Sequence, residues 1–151
     1  MFTAVRYFVK TSLAFLIIGI LSGFFMMISR RIFNLGYGPR MLSAHTHIVL
    51  VGFMLMLIMG IAVWFFPKAD KADTRYSPKR IMVVYWLMLS GTVLRFIFEV
   101  TDAYITIAFL NFVIVAASSL QITAVIIYAY TMWGRIRPLG SQFREAKGEK
   151  F

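Results

Sequence analysis

Cysteine is missing from the chain altogether, which excludes disulfides, iron–sulfur clusters and thiolate ligation of haem. Acidic residues are scarce, six in 151, and histidine occurs only as His45 and His47. Charged residues make up 15%, where a soluble domain has roughly a quarter, so there is too little polar surface to cover a globule in water. What the chain has instead is apolar: 60% of residues are hydrophobic and the mean hydropathy is +0.79. Its solvent is lipid. A net charge of +10 raises nucleic acid as a partner. The basic residues, however, fall between the apolar runs and not along an amphipathic face, which is how a membrane protein distributes them.

A helix crossing a hydrocarbon core about 30 Å thick needs roughly 20 mostly apolar residues. Four stretches meet that length, at 7–28, 41–66, 81–98 and 104–133. The fold class expected is therefore all-α, an integral membrane bundle of four helices over residues 1–133 with a polar tail at 134–151. The first run is too long for a signal-peptide core and is read as a retained helix. The fourth exceeds the bilayer and is expected to tilt or project.

Charge in the connections sets the expected orientation. Arg6, Lys10, Lys68, Lys71, Arg75, Lys79, Arg80, Arg135, Arg137, Arg144, Lys147 and Lys150 fall on one side, and only Arg30, Arg31, Arg40 and Arg95 on the other. The positive-inside rule then puts both termini in the cytoplasm and brings His45 and His47 into the membrane from the outer face.

An imidazole in a bilayer is expensive unless paired or liganded, so each histidine is a candidate site residue. The bland alternative is an interfacial position, hydrogen-bonded to water or headgroups. Residues two apart on a helix point about 200° from each other, which separates the pair. His45 shares a face with Val49, Gly52, Met56, Gly60 and Val63, whereas His47 shares one with Leu50, Val51, Met54, Ile58, Ile61 and Phe65. Gly52 and Gly60 permit close approach to the backbone, either by another helix or by a flat macrocycle. A histidine above them suits haem against that wall, with His45 as preferred iron ligand and His47 as second candidate. Two histidines with Glu99 and Asp102 at the same end also leave a small zinc or copper site open. Arg40 and Arg95 lie at that depth as candidate partners for haem propionates. For Arg95, an i,i+4 pair with Glu99 competes with that role.

The run AHTHIVLVGFMLMLIMGIAVWFFPK, residues 44–68, resembles the second transmembrane helix of subunit I in the haem-copper oxidase and nitric oxide reductase superfamily. His45-Thr46 is similar to the histidine-threonine start seen in nitric oxide reductases, and Gly52-Phe53 after the spaced histidines resembles membrane haem proteins of nitric oxide response. The resemblance covers residues 40–68 and, loosely, the first helix with Gly19 and Gly23. It implies haem b with His45 as axial ligand, in a bacterial-type inner membrane. It also implies electron transfer or binding of NO or O2, with a homo-oligomer, respiratory subunits, quinol or a cytochrome as partners. The departures are as plain. Subunit I has many more helices, and its copper site, high-spin haem and second low-spin ligand need histidines that this chain lacks after His47. Oxidase or reductase chemistry by the family route is not expected from this chain alone. The alternative is a non-haem structural or assembly subunit of a respiratory membrane complex.

Overall fold

A computed structural model describes residues 3–67, 69, 73–105, 107–137, 140, 143 and 147–148. Lys68, Lys71, Arg144 and Lys150, which entered the charge argument, and most of the tail at 134–151 lie outside the described residues. Everything regular among the described residues is helical. Four helices are long and apolar enough to cross a membrane: α1 (Thr3–Arg31), α2 (Pro39–Phe65), α3 (Pro78–Asp102) and α4 (Ala108–Met132), the last extended by a 3-10 turn at Trp133–Arg135.

Local chemistry sets the ends. Proline at the first helical position starts both α2 and α3, after an extended Gly38 and an extended Ser77. Its missing N–H costs nothing there and its φ is already helical. Helix α2 stops where Phe66 turns extended before Pro67, as a residue preceding proline prefers. Helix α1 closes with Arg30 and Arg31 in its last turn, complementing the helix dipole, and the chain then turns through Asn34 at φ 52°. Helix α4 begins four residues later than hydropathy suggested, because Tyr104 and Ile105 fold back onto Thr101 and Ile107 is extended.

Within α2 lies a π-helical segment, Ile48–Leu55, directly after His47. It is long for its kind, since the i→i+5 pattern usually appears as single-turn bulges, frequently at functional sites.

Helices α1 and α2 run antiparallel and exchange small for large along their seam. Built as alanine, Gly23 would press on the His45 ring at 2.9 Å and Gly19 on Val49 at 2.6 Å. Further down the positions reverse. A Cβ on Gly52 would meet Phe15 at 3.0 Å and Thr92 of α3 at 2.9 Å, and one on Gly60 would meet Phe8 at 2.7 Å. Phe8 and Met56 are fully buried as a result. Helix α3 closes the core with Val84, Tyr85 and Met88, and Tyr85 pairs its hydroxyl with Thr11 of α1 at 2.9 Å. Helix α4 packs chiefly on α3, where Gly91 lies against the backbone of Ala117 and Gln121. The outward faces carry Ile17, Ile20, Leu21, Phe24, Phe112 and Val115, exposed as a lipid-facing surface requires.

At the end where α1 begins, the turn after α4 reaches the end of α2. Arg135, 2% exposed, donates through Nε to Pro67 O at 2.8 Å and through Nη2 to Val63 O and Phe66 O at 2.9 and 2.7 Å. Val63 O is a last-turn carbonyl of α2 and Phe66 O and Pro67 O follow directly after it, so the guanidinium sits at the negative end of the helix dipole. The guanidinium also stacks on Tyr76 at 4.4 Å, and Tyr128 donates to Met59 O at 2.9 Å one turn deeper. In the connecting segment Arg75 brackets Asp73 and holds its carboxyl below the usual carboxylate range through side-chain and backbone hydrogen bonds. Replacing Arg135 by Met should lower unfolding stability in detergent by about 3 kcal/mol, because charged hydrogen bonds to buried carbonyls are lost together. Lys147→Met, on the exposed tail, should leave it within about 0.5 kcal/mol, and equal Tm values for the two variants would refute the clamp.

Candidate functional site

Both histidines sit on the last α-helical turn before the π segment, and each has one ring nitrogen committed to a backbone carbonyl. His45 Nδ1 lies 3.0 Å from Gly19 O across the seam and 3.0 Å from Ser22 Oγ, which itself donates to Gly19 O at 2.8 Å. A carbonyl only accepts, so Nδ1 carries the proton and Nε2 keeps its lone pair. This is the arrangement by which proteins fix the tautomer and orientation of a metal-binding imidazole. The ring rests on the bare backbone of Gly23, in a place that a side chain would fill. It opens on a groove of about 270 Å³ whose lining includes Met26, Arg30, Arg31, Tyr37 and Leu42.

His47 points to other neighbours. Its Nδ1 lies 2.8 Å from Ser43 O, one turn back, which in the neutral ring again leaves Nε2 as an acceptor. Ser43 Oγ donates to Glu99 Oε1 at 3.0 Å, and Arg95 Nε donates to the same oxygen at 3.1 Å. Arg95 reaches on with Nη1 to Gln121 Oε1 at 3.4 Å, and Gln121 donates to Thr92 at 3.0 Å. One polar chain thus crosses from α2 through α3 to α4. Glu99 is 2% exposed, and among the described residues its second oxygen accepts no hydrogen bond although His47 Nδ1 is 3.6 Å away. A parallel link ties the helix ends together: Arg40 Nε lies 2.8 Å from Asp102 Oδ2 and Nη2 donates to Asn111 at 3.3 Å.

The residues singled out from sequence therefore divide. His45 and His47 diverge as helical spacing implied. Gly52, Met56 and Gly60 do line the face below His45, but the slot expected there for a macrocycle is not what the structure has. Phe15 and Phe8 of α1 occupy the glycine notches, and Met56 is fully buried behind them. The reason is the length of α1, which runs alongside α2 for its whole depth and puts a large side chain wherever α2 has none. Arg95 forms the i,i+4 pair with Glu99, and Arg40 is taken by Asp102. Among the described residues, no three of His, Asp and Glu come together to hold a metal ion. Haem, the group that the resemblance implies, fits the donor chemistry of His45 and its groove, and it does not fit the Gly52–Gly60 wall.

Gln121, which with Asn111, Ser118 and Ser119 reads from the sequence as an interhelical hydrogen-bond former, carries the site as much as the histidines do. So do Ser22 and Ser43, which sequence reasoning missed. Serines on a membrane helix usually bond back to their own backbone, as Ser12 and Ser90 do here, and nothing in the sequence sets these two apart. Comparison with protein-family models, with curated proteins and with solved structures returns no match for this chain.

The Arg95–Glu99 pair gives a test of the network. Each of Arg95→Met and Glu99→Leu should destabilise the protein by about 3 kcal/mol, since either leaves a largely buried charge without its partner. The double variant should cost less than their sum by about 2 kcal/mol in a double-mutant cycle read from unfolding midpoints. Strict additivity would mean that the two side chains are not coupled.

Proposed function

We propose that this chain is a haem b protein of a bacterial-type inner membrane, with His45 as axial ligand and both termini in the cytoplasm, serving electron transfer or the binding of NO or O2. One observation carries the reading. His45 has Nδ1 fixed by Gly19 O and Nε2 free, on a ring seated against Gly23 beside a groove edged by two arginines. The similarity of residues 40–68 to the second helix of subunit I points to the same imidazole.

In this reading α1, not the lower part of α2, forms the second wall. Gly23 admits the ring, Ser22 and Gly19 orient it, and Arg30 and Arg31 stand where propionates would need cationic partners, in place of Arg40 and Arg95. The bound iron would supply a one-electron couple or a ligand-binding position, and axial ligation and burial would set which. His45 is the chain's single imidazole on this side. A sixth ligand would come from a second copy across a twofold axis, from a partner subunit, or from the diatomic gas itself.

A second reading also has a specific observation behind it. The notches at Gly52 and Gly60 are used for helix packing, and Arg40 and Arg95 are satisfied within the chain. A non-haem subunit that packs against a respiratory complex needs no more than that.

Absorption spectra separate the two. Protein produced with haem supplied in excess should show a Soret band, with sharpened alpha and beta bands on reduction. His45→Ala and Gly23→Leu should each lower haem content at least about tenfold, whereas His47→Ala should retain it, a loss on the order of one metal–ligand bond. One haem per two chains would indicate a shared twofold site, and a carbon monoxide shift of the reduced spectrum an open position. A colourless preparation would transfer the case to the non-haem reading.

A further inference from the structure

At the end where α1 and α3 begin, a groove of about 430 Å³ lies between them, within the size range of small-ligand sites. Ala4 of α1 and Ile81 and Met82 of α3 form its apolar walls, with Val63 of α2 beside them. One turn further into the bundle the two helices are tied together. The rings of Tyr7 and Tyr85 lie 5.6 Å apart, and Thr11 pairs with the Tyr85 hydroxyl at 2.9 Å. Thr3, Tyr7 and Tyr76 also line the groove, so its apolar walls carry a fringe of hydroxyl-bearing side chains.

Charge at the rim is of one sign. Residues three apart are neighbours on a helix surface, so on α1 Arg6 stands beside Thr3 and Lys10 beside Tyr7, and on α3 Lys79 stands beside Met82. All three cations are exposed, and none has an acidic partner among the described residues. Asp73, the acid described at this end, is bracketed by Arg75, while Glu99 and Asp102 are held at the far end of α3. Arg80 is turned toward α4, over the Tyr130 ring.

Walls and rim together narrow the occupant. A free phosphate ion would meet the cations and leave the apolar walls bare. A zwitterionic lipid would cover the walls and bring no net charge to the lysines. A phospholipid with an anionic headgroup satisfies both, and basic clefts between membrane helices suit such headgroups. Lys10, a turn deeper than the others, reaches headgroup level by extending its stem, as lysines near helix ends do.

We infer that the groove between the starts of α1 and α3 binds one anionic phospholipid, with its phosphate between Lys10 and Lys79 and the upper part of an acyl chain against Ala4, Ile81 and Met82. The site lies at the opposite end of the bundle from the His45 groove, and its occupancy requires neither haem nor the reading made for that histidine.

The test is thermal unfolding of the full chain, purified without haem in a neutral detergent. Phosphatidylglycerol, phosphatidylcholine with the same acyl chains, and inorganic phosphate are added separately. Phosphatidylglycerol should raise Tm in a saturable way, as a ligand of the native state does, and the other two should not at equal concentration. Lys10→Gln combined with Lys79→Gln should leave the lipid-free Tm unchanged and weaken the apparent affinity about twentyfold, roughly fivefold for each lysine. Lys147→Gln combined with Lys150→Gln, the same change of charge in the tail, should keep the native affinity. Thr3→Trp, at an exposed position of the lining, should fold normally and abolish the response by filling the groove. No response to phosphatidylglycerol, or an equal response to phosphatidylcholine, overturns the inference, as does a full response in Thr3→Trp. An equal loss in the tail variant reduces the effect to general surface charge and overturns the site. Stabilisation by inorganic phosphate alone overturns the lipid as its occupant.

Discussion

The close approach of α1 to α2 is the contact from which the other arrangements follow. In lipid there is no hydrophobic drive between two apolar helices, so their association rests on surfaces that fit. This pair fits by reciprocity. Near the histidines α1 supplies the glycines and α2 the bulk, as Gly23 and Gly19 receive His45 and Val49; deeper, α2 supplies the glycines and α1 the bulk, as Gly52 and Gly60 receive Phe15 and Phe8. Only with the backbones this close can the Gly19 carbonyl reach His45 Nδ1 from another helix at 3.0 Å. The orientation of the imidazole is thus a by-product of helix packing, and a bulkier residue at Gly23 would displace both.

The π segment lies in the middle of a helix that serves two neighbours with different demands. Above it, α2 presents His45 to α1 and His47 toward α3; below it, the same helix presents Met56, Met59, Gly60 and Val63 inward. The face turned to α1 nonetheless runs on through the segment, from His45 and Val49 above to Gly52 and Gly60 below. Val51 and Leu55 of the segment line a cleft of about 350 Å³ against Ile122, Val125 and Ile126 of α4.

The fold was legible in the sequence because hydropathy speaks directly to it: four apolar runs bounded by Pro39, Pro67 and Pro78 become four helices. The divergence of His45 from His47 was legible too, since it needs only the helical repeat. What fills a glycine notch was not, because the answer lies on another helix, and the same spacing at Gly52 and Gly60 serves a macrocycle or a phenylalanine ring. The π segment left no mark either; Ile48–Leu55 is as apolar as the α-helical stretch that follows it. Arg135 misled in a different way. As a basic residue after a span it counted toward charge asymmetry, whereas it is buried and holds three carbonyls at and just beyond the end of α2.

The two ends of the bundle handle buried charge differently. At the end where α1 begins, the cation Arg135 sits on the negative pole of α2 and on the Tyr76 ring, with no carboxylate beside it among the described residues. At the other end the cations pair with acids on α3. Arg95 meets Glu99 and Arg40 meets Asp102, and both acids are nearly inaccessible. Arg40–Asp102 and Ser43–Glu99 fasten α2 to α3, Arg95–Glu99 lies within α3, and Gln121 fastens α4 to α3. Polar links from α4 to α2 come from Arg40 reaching Asn111 at the rim and Tyr128 reaching Met59 O at depth. Helix α4 is thus anchored on α3 along its length and meets α2 through reaching side chains, and the cleft of about 350 Å³ lies between Val51 and Leu55 of α2 and Ile122, Val125 and Ile126 of α4.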